Sequence, residues 1–142
     1  MVCVKSYQLQ HAMQDFSAAV VPSTAILPLL GGISHLGALR DRFGHKLVLG
    51  GMFPIIASSE GQGRIALLLK PHELVLGELD GEIMERVSAL RHLFSPAKLD
   101  TRVRQSIMLD MWKKFTLLAS GCQLNAAPAT RSQRQAMSGQ PF

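Results

Sequence analysis

Residues 26–44 read ILPLLGGISHLGALRDRFG, and this stretch decides the class of fold. Its first residues belong to an apolar run, residues 24–30, with the composition of a buried strand. Gly31-Gly32 follow, and residues 34–43 then have a helical pattern that ends at Gly44, a suitable C-cap. A strand, a glycine turn and a helix in this order form the repeating unit of α/β proteins.

The sequence on both sides of this unit continues the alternation. Gly50-Gly51 interrupt a second apolar run and indicate a bend, and two short runs around Pro71 suggest a hairpin. The expected strands are 2–4, 24–30, 46–57, 64–70, 73–79 and 99–103, and the expected helices are 7–19, 34–43, 82–94 and 104–120. Residues 126–142 are rich in Ala, Gln, Ser and Pro without an apolar period, which predicts a disordered tail. The fold class is therefore α/β.

The composition excludes several classes of protein. With 142 residues, of which 47% are hydrophobic and 18% charged, the chain is long enough for one globular domain. No apolar run reaches the length of a membrane span, and the first residues lack the pattern of a secretory signal. Cys3 and Cys122 have no metal-type spacing and the histidines are scattered, so we expect a reduced, cytoplasmic protein without a metal site.

The net charge of +5 does not by itself indicate nucleic acid. The basic residues are spread along the chain and interrupted by Asp41 and Asp100, and only 6% of the residues are aromatic. A nucleic-acid surface needs a dense basic patch with interleaved aromatic residues. We therefore expect solvated basic faces with some affinity for anionic ligands, and neither a nucleic acid nor a membrane as partner.

Residues 110–121, DMWKKFTLLASG, place two adjacent lysines in the last expected helix. Lys113 points away from the apolar stripe of this helix, whereas Lys114 borders it. Two interpretations of Lys114 stay open: it is a surface partner of Asp110, four residues earlier, or it is held in a cleft for chemistry. At helical spacing the apolar stripe comprises Met108, Met111, Trp112, Phe115, Leu118, Ala119 and Cys122.

Four other places are considered for ligand binding. Gly31-Gly32 lie after a strand and before a helix, where ligands bind to open α/β sheets, although such a pair is also an ordinary tight turn. Lys5 ends the first strand and either faces a ligand phosphate or ribose or is an ordinary strand-end lysine. His35 is either a polar ligand contact or a first-turn helix residue, and we favour the second interpretation. We interpret Gly61-Gln62-Gly63 as a turn, since it lacks the third glycine of a dinucleotide fingerprint.

Five segments together resemble the ketopantoate reductase family in their order and spacing. They are VCVKSYQL (2–9), ILPLLGGISHLGALRDRFG (26–44), VLGGMFPIIASSEGQGRI (48–65), LVLGELDG (74–81) and MWKKFTLLAS (111–120). That family reduces 2-dehydropantoate to pantoate with NADPH. The resemblance implies that residues 1–103 are part of a Rossmann-like NADP-binding domain. It also implies that residues 104–125 begin an all-α C-terminal domain.

The resemblance implies roles for single residues as well. Lys5 matches a lysine that faces cofactor or substrate. Lys114 matches the catalytic lysine, which would donate a hydrogen bond or a proton to the ketone oxygen. Gly31 and Gly32 stand at the family's Asn-Gly pair, which contacts the bound ligands, and Gly31 can offer only its backbone. Leu118 stands where many members have an asparagine.

Two parts of the family pattern are not found in this sequence. The glycine fingerprint and the basic residue that bind the cofactor phosphates would precede residue 1, and most of the helical domain would follow the last segment. We therefore expect an incomplete chain that is inactive, binds NADPH weakly and self-associates through an exposed sheet edge. The alternative is a non-catalytic remnant or protein-binding module that uses exposed apolar surface.

Overall fold

The computed structural model describes residues 1–55, 57–67, 73–82, 84–97 and 99–126. Within these ranges the α-helices are α1 (Leu9–Phe16), α2 (Ser34–Phe43), α3 (Glu85–Phe94) and α4 (Ile107–Ala126). The strands are β1 (Gly50–Met52), β2 (Ala57–Gly61), β3 (Arg64–Leu67), β4 (Glu73–Gly77) and β5 (Asp100–Val103). Among the described helices, none is long and apolar enough to cross a lipid bilayer.

The apolar segment before the glycine pair forms the centre of a parallel ladder. Ile26 bridges Val48, and Pro28 bridges Val2, both in the parallel sense. The N–H of Leu29 donates to the carbonyl oxygen of Val2 at 2.9 Å. Parallel strands are covered on both faces, which is why this part of the sequence is apolar without alternation.

Further strands extend this ladder into a mixed sheet. β1 continues the run that contains Val48 and pairs antiparallel with β4, with Gly50 opposite Gly77. β4 pairs parallel with β5. The order across the sheet is therefore Val2, residues 26–28, residues 48–52, β4 and β5. The first three segments end at one edge of the sheet, which we call the carboxyl edge, and β4 ends at the opposite edge.

Helices cover both faces of this sheet, because neighbouring strand residues point to opposite sides. On one face, α1, α2 and α4 pack over a core that comprises Val2, Leu9, Met13, Ile26, Leu30, Leu36, Leu39, Val48, Val75, Ile107 and Met111. On the other face, α3 packs over a core that comprises Leu27, Leu49, Leu74, Leu76 and Val87. The predicted α/β class is confirmed.

The expected bounds of α2 and its C-cap are confirmed. Gly44 follows the helix with φ of +91°, and its N–H donates to the carbonyl oxygen of Arg40 at 2.8 Å. The other three helices begin later than expected. α1 covers Leu9–Phe16 of the expected 7–19, with 3-10 turns at Ser6–Gln8 and Ser17–Ala19 on either side. α3 begins at Glu85 rather than at residue 82, and α4 begins at Ile107 rather than near residue 104, since residues 105–106 form a turn.

The expected strand 46–57 is longer than the observed one, and its expected bend is wrong. His45–Leu47 is a 3-10 turn, and residue 57 already belongs to β2. β1 passes through Gly50-Gly51 with an unbroken register to β4. Glycine is required at residue 51 because a side chain would clash, and not because the strand bends. A Cβ added to Gly51 would lie 2.5 Å from Cδ1 of Leu27.

The expected hairpin around Pro71 is wrong in its pairing. β3 pairs antiparallel with β2, whereas β4 pairs with β1 and β5. The turn between β2 and β3 is formed by Gly61-Gln62-Gly63, whose φ angles are all positive, at 83°, 51° and 77°. The interpretation of these three residues as a turn is thereby confirmed. Pro71 lies outside the described residues, as do residues 127–142 of the expected tail.

Candidate functional site

The carboxyl edge collects the chain segments that follow three neighbouring strands. Lys5 follows the strand at Val2, Gly31-Gly32 follow residues 26–28, and Phe53 follows β1. Loops at this edge of an open α/β sheet are the usual place for a ligand. Residues that are far apart in sequence are thus brought to one side of the molecule by the parallel pairing.

α4 adds Lys114 to this edge. Ile107 is fully buried at the start of the helix, and Met111 is 3% exposed one turn later. Lys114 lies on the same side of the helix, because residues at positions i, i+4 and i+7 follow one face. Burial of the two apolar residues therefore holds the lysine against the sheet.

Lys114 is half-buried and has a main-chain partner. Its Nζ donates to the carbonyl oxygen of Phe53 at 3.5 Å, which is long for a hydrogen bond. Burial removes water from the ammonium group and lowers the pKa of Lys114 below its ordinary value. Gly32, Gly51 and Met52 line the same narrow cleft, whose free volume of about 10 Å³ has room for about one water molecule.

The surface pair between Lys114 and Asp110 is not formed. Oδ2 of Asp110 lies 3.5 Å from Nε of Arg104 instead. Lys113 is exposed and borders a different depression, together with Arg104 and Asp110. The two lysines therefore face different surroundings, as the helical spacing predicts.

The apolar stripe expected for α4 is correct in its first part and wrong in its second. Met108 and Met111 contact the core. Trp112, Phe115 and Leu118 are 47%, 38% and 48% exposed. The face that meets the sheet passes through Lys114 rather than through these three side chains.

Gly31-Gly32 separate two clefts at the carboxyl edge. Gly32 lines the cleft of Lys114, and Gly31 lines a neighbouring cleft of about 460 Å³ together with Lys5. A Cβ added to either glycine would meet no atom within 4 Å, so the outer surface of the loop is open. Gly32 has φ of +79°, and it alone of the two requires glycine for its backbone conformation.

The helix that follows this loop has an open amino terminus. Ile33 at the N-cap of α2 makes no side-chain hydrogen bond to the first turn. Helix amino termini attract anions through their free N–H groups and the helix dipole. The loop and the helix end thus favour a negatively charged ligand group at the carboxyl edge.

His35 lies in the first turn of α2, as interpreted from the sequence, and is 3% exposed. Neither ring nitrogen has a hydrogen-bond partner among the described residues. Burial lowers the pKa of His35, which favours the neutral ring. In the described part of the chain, no three His, Cys, Asp or Glu side chains are grouped closely enough to hold a metal ion.

Two features of the structure carry no signal in the sequence. The acceptor for Lys114 is a main-chain carbonyl, which every residue possesses. At the opposite edge, Arg86 binds the buried carboxylate of Glu78 through two hydrogen bonds, of 2.6 and 2.5 Å, and also donates to the carbonyl oxygen of Lys46. The hydrogen bond to Glu78 raises the pKa of Arg86 above its ordinary value. No motif of known spacing links these residues.

Known proteins are similar to this chain in sequence. The sequence profile described as "Ketopantoate reductase PanE/ApbA" matches residues 1–81. The uncharacterized oxidoreductase YkpB of Bacillus subtilis (strain 168) is 31% identical over 119 residues, which are 84% of this chain and 39% of YkpB. The 2-dehydropantoate 2-reductase of Streptococcus pyogenes serotype M1 is 27% identical over 110 residues, 78% of this chain and 36% of that protein.

A solved structure agrees with these matches at the level of the fold. The complex of D-mandelate dehydrogenase with NADH is 22% identical, with a TM-score of 0.67, and the likeness covers 79% of this chain and 37% of that chain. The chain thus spans about two fifths of the length of the curated relatives it matches. Since the family profile matches more than half of its residues, and the fold and sequence relatives agree, the chain belongs to the ketopantoate reductase PanE/ApbA family.

Proposed function

We propose that the chain carries the catalytic lysine and part of the nicotinamide site of an oxidoreductase that reduces 2-dehydropantoate, or a related 2-oxo acid, with NADPH. The observation that carries the proposal is the setting of Lys114. Its ammonium group is half-buried at the carboxyl edge, beside Gly32, and contacts the carbonyl oxygen of Phe53. A lysine held in this way is suited to donate a hydrogen bond or a proton.

The residues at the carboxyl edge fit part of a dinucleotide. The open surface of Gly31-Gly32 lets a ligand approach the backbone, and the amino terminus of α2 favours a negatively charged group. Lys5 is exposed in the adjoining cleft and can supply a positive charge. D-mandelate dehydrogenase, which shares the fold, has been solved with NADH, which supports a nicotinamide cofactor. The choice of NADPH follows the family resemblance.

Lys114 would act on the keto oxygen of the substrate. A nicotinamide held at the carboxyl edge would supply the hydride for the keto carbon. As negative charge develops on the oxygen, the ammonium group of Lys114 stabilises it and then transfers a proton to give the hydroxyl. The lowered pKa eases this transfer. The long contact to Phe53 is weak enough for a substrate oxygen to replace it as acceptor.

A turnover assay with matched variants tests the proposal. Because the chain spans about two fifths of its relatives, the assay uses a chimera that joins it to the segments of a family member outside the matched region. We expect the folded chimera to oxidise NADPH in the presence of 2-dehydropantoate. Removing a group that stabilises an oxyanion lowers kcat by about 10²–10³, so Lys114→Ala should lose most of the activity. Lys113→Ala is the control, because Lys113 is exposed outside the cleft, and should change little. Activity should also fall as the pH rises through the lowered pKa of Lys114, because the neutral amine has no proton to donate.

Three results would contradict the proposal. If the folded chimera with the wild-type sequence shows no turnover, the chain does not supply a working catalytic lysine. Equal activity in both variants would return Lys114 to the role of an ordinary surface lysine. Equal and large losses of activity in both variants would mean that the two lysines do not differ in function, although their surroundings differ.

The domain organisation and the cellular location belong to the same proposal. A separate helical domain that begins at about residue 104 is supported by α4, which starts on the sheet at Ile107 and becomes exposed in its later turns. A cytoplasmic location is supported by the sequence and by the enzyme family.

A second candidate function is favoured by the exposed side of α4. Large apolar side chains are exposed there by between 38% and 73%: Leu109, Trp112, Phe115, Leu117 and Leu118. Soluble monomers seldom expose so many large apolar side chains on one element unless the surface binds a partner. The chain would then be a protein-binding module without catalytic activity. Absence of turnover, together with association that depends on these side chains, would favour this function over the first.

A further inference from the structure

Two glycines that face each other across the sheet form the contact on which α4 begins. Gly50 in β1 is paired directly with Gly77 in β4, and both are buried. A Cβ added to Gly50 would lie 2.7 Å from Cγ2 and 2.9 Å from Cγ1 of Ile107. A Cβ added to Gly77 would lie 2.0 Å from the carbonyl oxygen of Arg104 and 3.1 Å from Cβ of Ile107. All these distances are shorter than an ordinary contact of about 3.5–4.0 Å between carbon atoms.

The backbone conformation does not explain these glycines. Neither has a positive φ, so any residue could adopt their backbone angles. Their missing side chains instead let Ile107 approach the sheet until it is fully buried. The N–H of Arg104 donates to the carbonyl oxygen of Leu76 at 2.9 Å and holds the chain at the same place.

The contact at Ile107 and the contact at Lys114 join the same two elements. Gly50 and Phe53 are three residues apart along the strand, a distance of about 10 Å at 3.3 Å per residue. Ile107 and Lys114 are seven residues apart along α4, which is about 10.5 Å at 1.5 Å per residue. The two spacings match, so α4 lies along β1 with one contact at each end. The placement of Ile107 therefore sets the position of Lys114.

We propose that the Gly50–Gly77 pair positions Lys114 by fixing the depth at which α4 rests on the sheet. A methyl group at residue 50 moves Ile107 outward by about 1 Å, the difference between 2.7 Å and an ordinary contact. The contact between Lys114 and Phe53 is already 3.5 Å long, and such a shift breaks it. The amine is then more hydrated. The role of Lys114 in catalysis rests on the proposed function. The effect of the glycine pair on the position of Lys114 does not depend on it.

Amine labelling followed over pH tests this proposal without substrate or cofactor. Only the neutral amine reacts with an acylating reagent, so the extent of labelling at Lys114, measured by mass spectrometry, follows its protonation. The exposed Lys113 in the same peptide is the internal reference. We expect Lys114 to become reactive at lower pH than Lys113 in the wild-type chain, and the two profiles to coincide in Gly50→Ala.

Two further variants control for folding and for the chemical change itself. Gly37→Ala makes the same substitution in α2, where an added Cβ meets no atom within 4 Å, and should leave both profiles unchanged. Gly50→Ala combined with Ile107→Ala removes the two Ile107 carbon atoms that lie nearest to the new methyl group. Cδ2 of Leu79, at 3.0 Å, remains, but it is the end of a flexible side chain. The double variant should therefore return Lys114 toward its wild-type profile. Circular dichroism establishes that each variant is folded before it is labelled.

Each result decides the proposal. A folded Gly50→Ala chain in which Lys114 keeps its separate profile would overturn it, as would coinciding profiles in the wild-type chain. If Gly50→Ala alone does not fold, the double variant decides. Recovery of the fold and of the Lys114 profile supports the proposal, and recovery of neither, or of the fold alone, refutes it. The turnover assay of Lys114→Ala is independent of these results, so failure of the proposed function remains distinguishable.

Discussion

The Glu78–Arg86 pair allows a quantitative prediction about stability. The side chain of Glu78 is 3% exposed and that of Arg86 is 29% exposed. Replacing Arg86 with Met keeps much of its length but leaves the carboxylate of Glu78 buried without its partner. Breaking a buried ion pair from one side costs about 3–5 kcal/mol, because the remaining charge is uncompensated. Since water already reaches part of Arg86, we expect Arg86→Met to cost about 3 kcal/mol, at the lower end of this range.

A second ion pair in the chain is the matched control. Arg102 and Glu73 also form an arginine–carboxylate pair, with Nε and Oε1 2.5 Å apart, but their side chains are 54% and 20% exposed. Exposed pairs contribute about 0–1 kcal/mol, and because Oε1 of Glu73 is itself buried, this half-exposed pair belongs at the upper end of that range. Arg102→Met makes the same chemical change and should therefore cost at most about 1 kcal/mol. The difference between the two variants isolates the effect of burial.

Urea unfolding at neutral pH measures both variants. With a dependence of about 1–3 kcal/mol per molar urea, a loss of 3 kcal/mol lowers the midpoint by about 1–3 M. Adding Glu78→Gln to Arg86→Met removes the unpaired charge and should restore part of the loss. If Arg86→Met and Arg102→Met had equal effects, or if the double variant were less stable than Arg86→Met, the reasoning from burial would be refuted.

Three further predictions concern a histidine, a helix end and association. His35 takes up a proton more readily in the unfolded chain than in the folded one, where burial lowers its pKa. As the pH drops below about 6.5, the free energy of unfolding should therefore fall, by up to about 1.4 kcal/mol per pH unit. Urea titrations at pH 7 and 5 should show this slope reduced in His35→Leu but kept when the exposed His92 is changed to Gln. Gly44→Ala places a side chain at φ of +91° and should destabilise the chain by about 1–2 kcal/mol. Gly37→Ala, inside α2, should stabilise it by up to about 1 kcal/mol. Melting temperatures that shift in the same direction for both variants would contradict this. Light scattering after size exclusion should show a mass that rises with protein concentration. Trp112→Glu should lower this mass, because Trp112 is 47% exposed on α4. A monomer at every concentration would contradict association.

The sequence predicts most reliably what is determined by neighbouring residues. The helix that ends at Gly44 was expected within its observed bounds, because its apolar period and its glycine cap are local signals. The turn at Gly61-Gln62-Gly63 is equally local, since its glycines permit the positive φ angles of a tight turn. Both are formed by residues adjacent in the chain.

Strand partners depend on residues that the local pattern does not reveal. Residues 64–67 and 73–77 each have the composition of a strand, but their partners are β2 in the first case and β1 and β5 in the second. The composition of a strand reflects how far it is buried, and it does not identify the strand with which it pairs. The reason for glycine at residue 50 could not be predicted from the local sequence either. It is the close contact with Ile107, which lies 57 positions later in the chain.

The candidate site was predicted in part through spacing and in part through resemblance. Helical spacing distinguishes Lys113 from Lys114, and the structure places them in different surroundings. The apolar period of α4, however, suggested that Trp112 faces the core. The period was misleading because this helix carries more apolar residues than its contact with the sheet can cover.

The uneven burial of α4 has a consequence for how this helix opens. Its first turns are anchored by Ile107 and Met111, whereas residues 115–120 are exposed. Helical segments without tertiary contacts are only marginally stable when they are shorter than about 12–15 residues. Amide hydrogen exchange should therefore be slowest near Met111 and become faster turn by turn toward residue 120. The outer turns can unwind and reform many times while Lys114 stays in its cleft, so fraying of the helix and access of solvent to the amine are separate events.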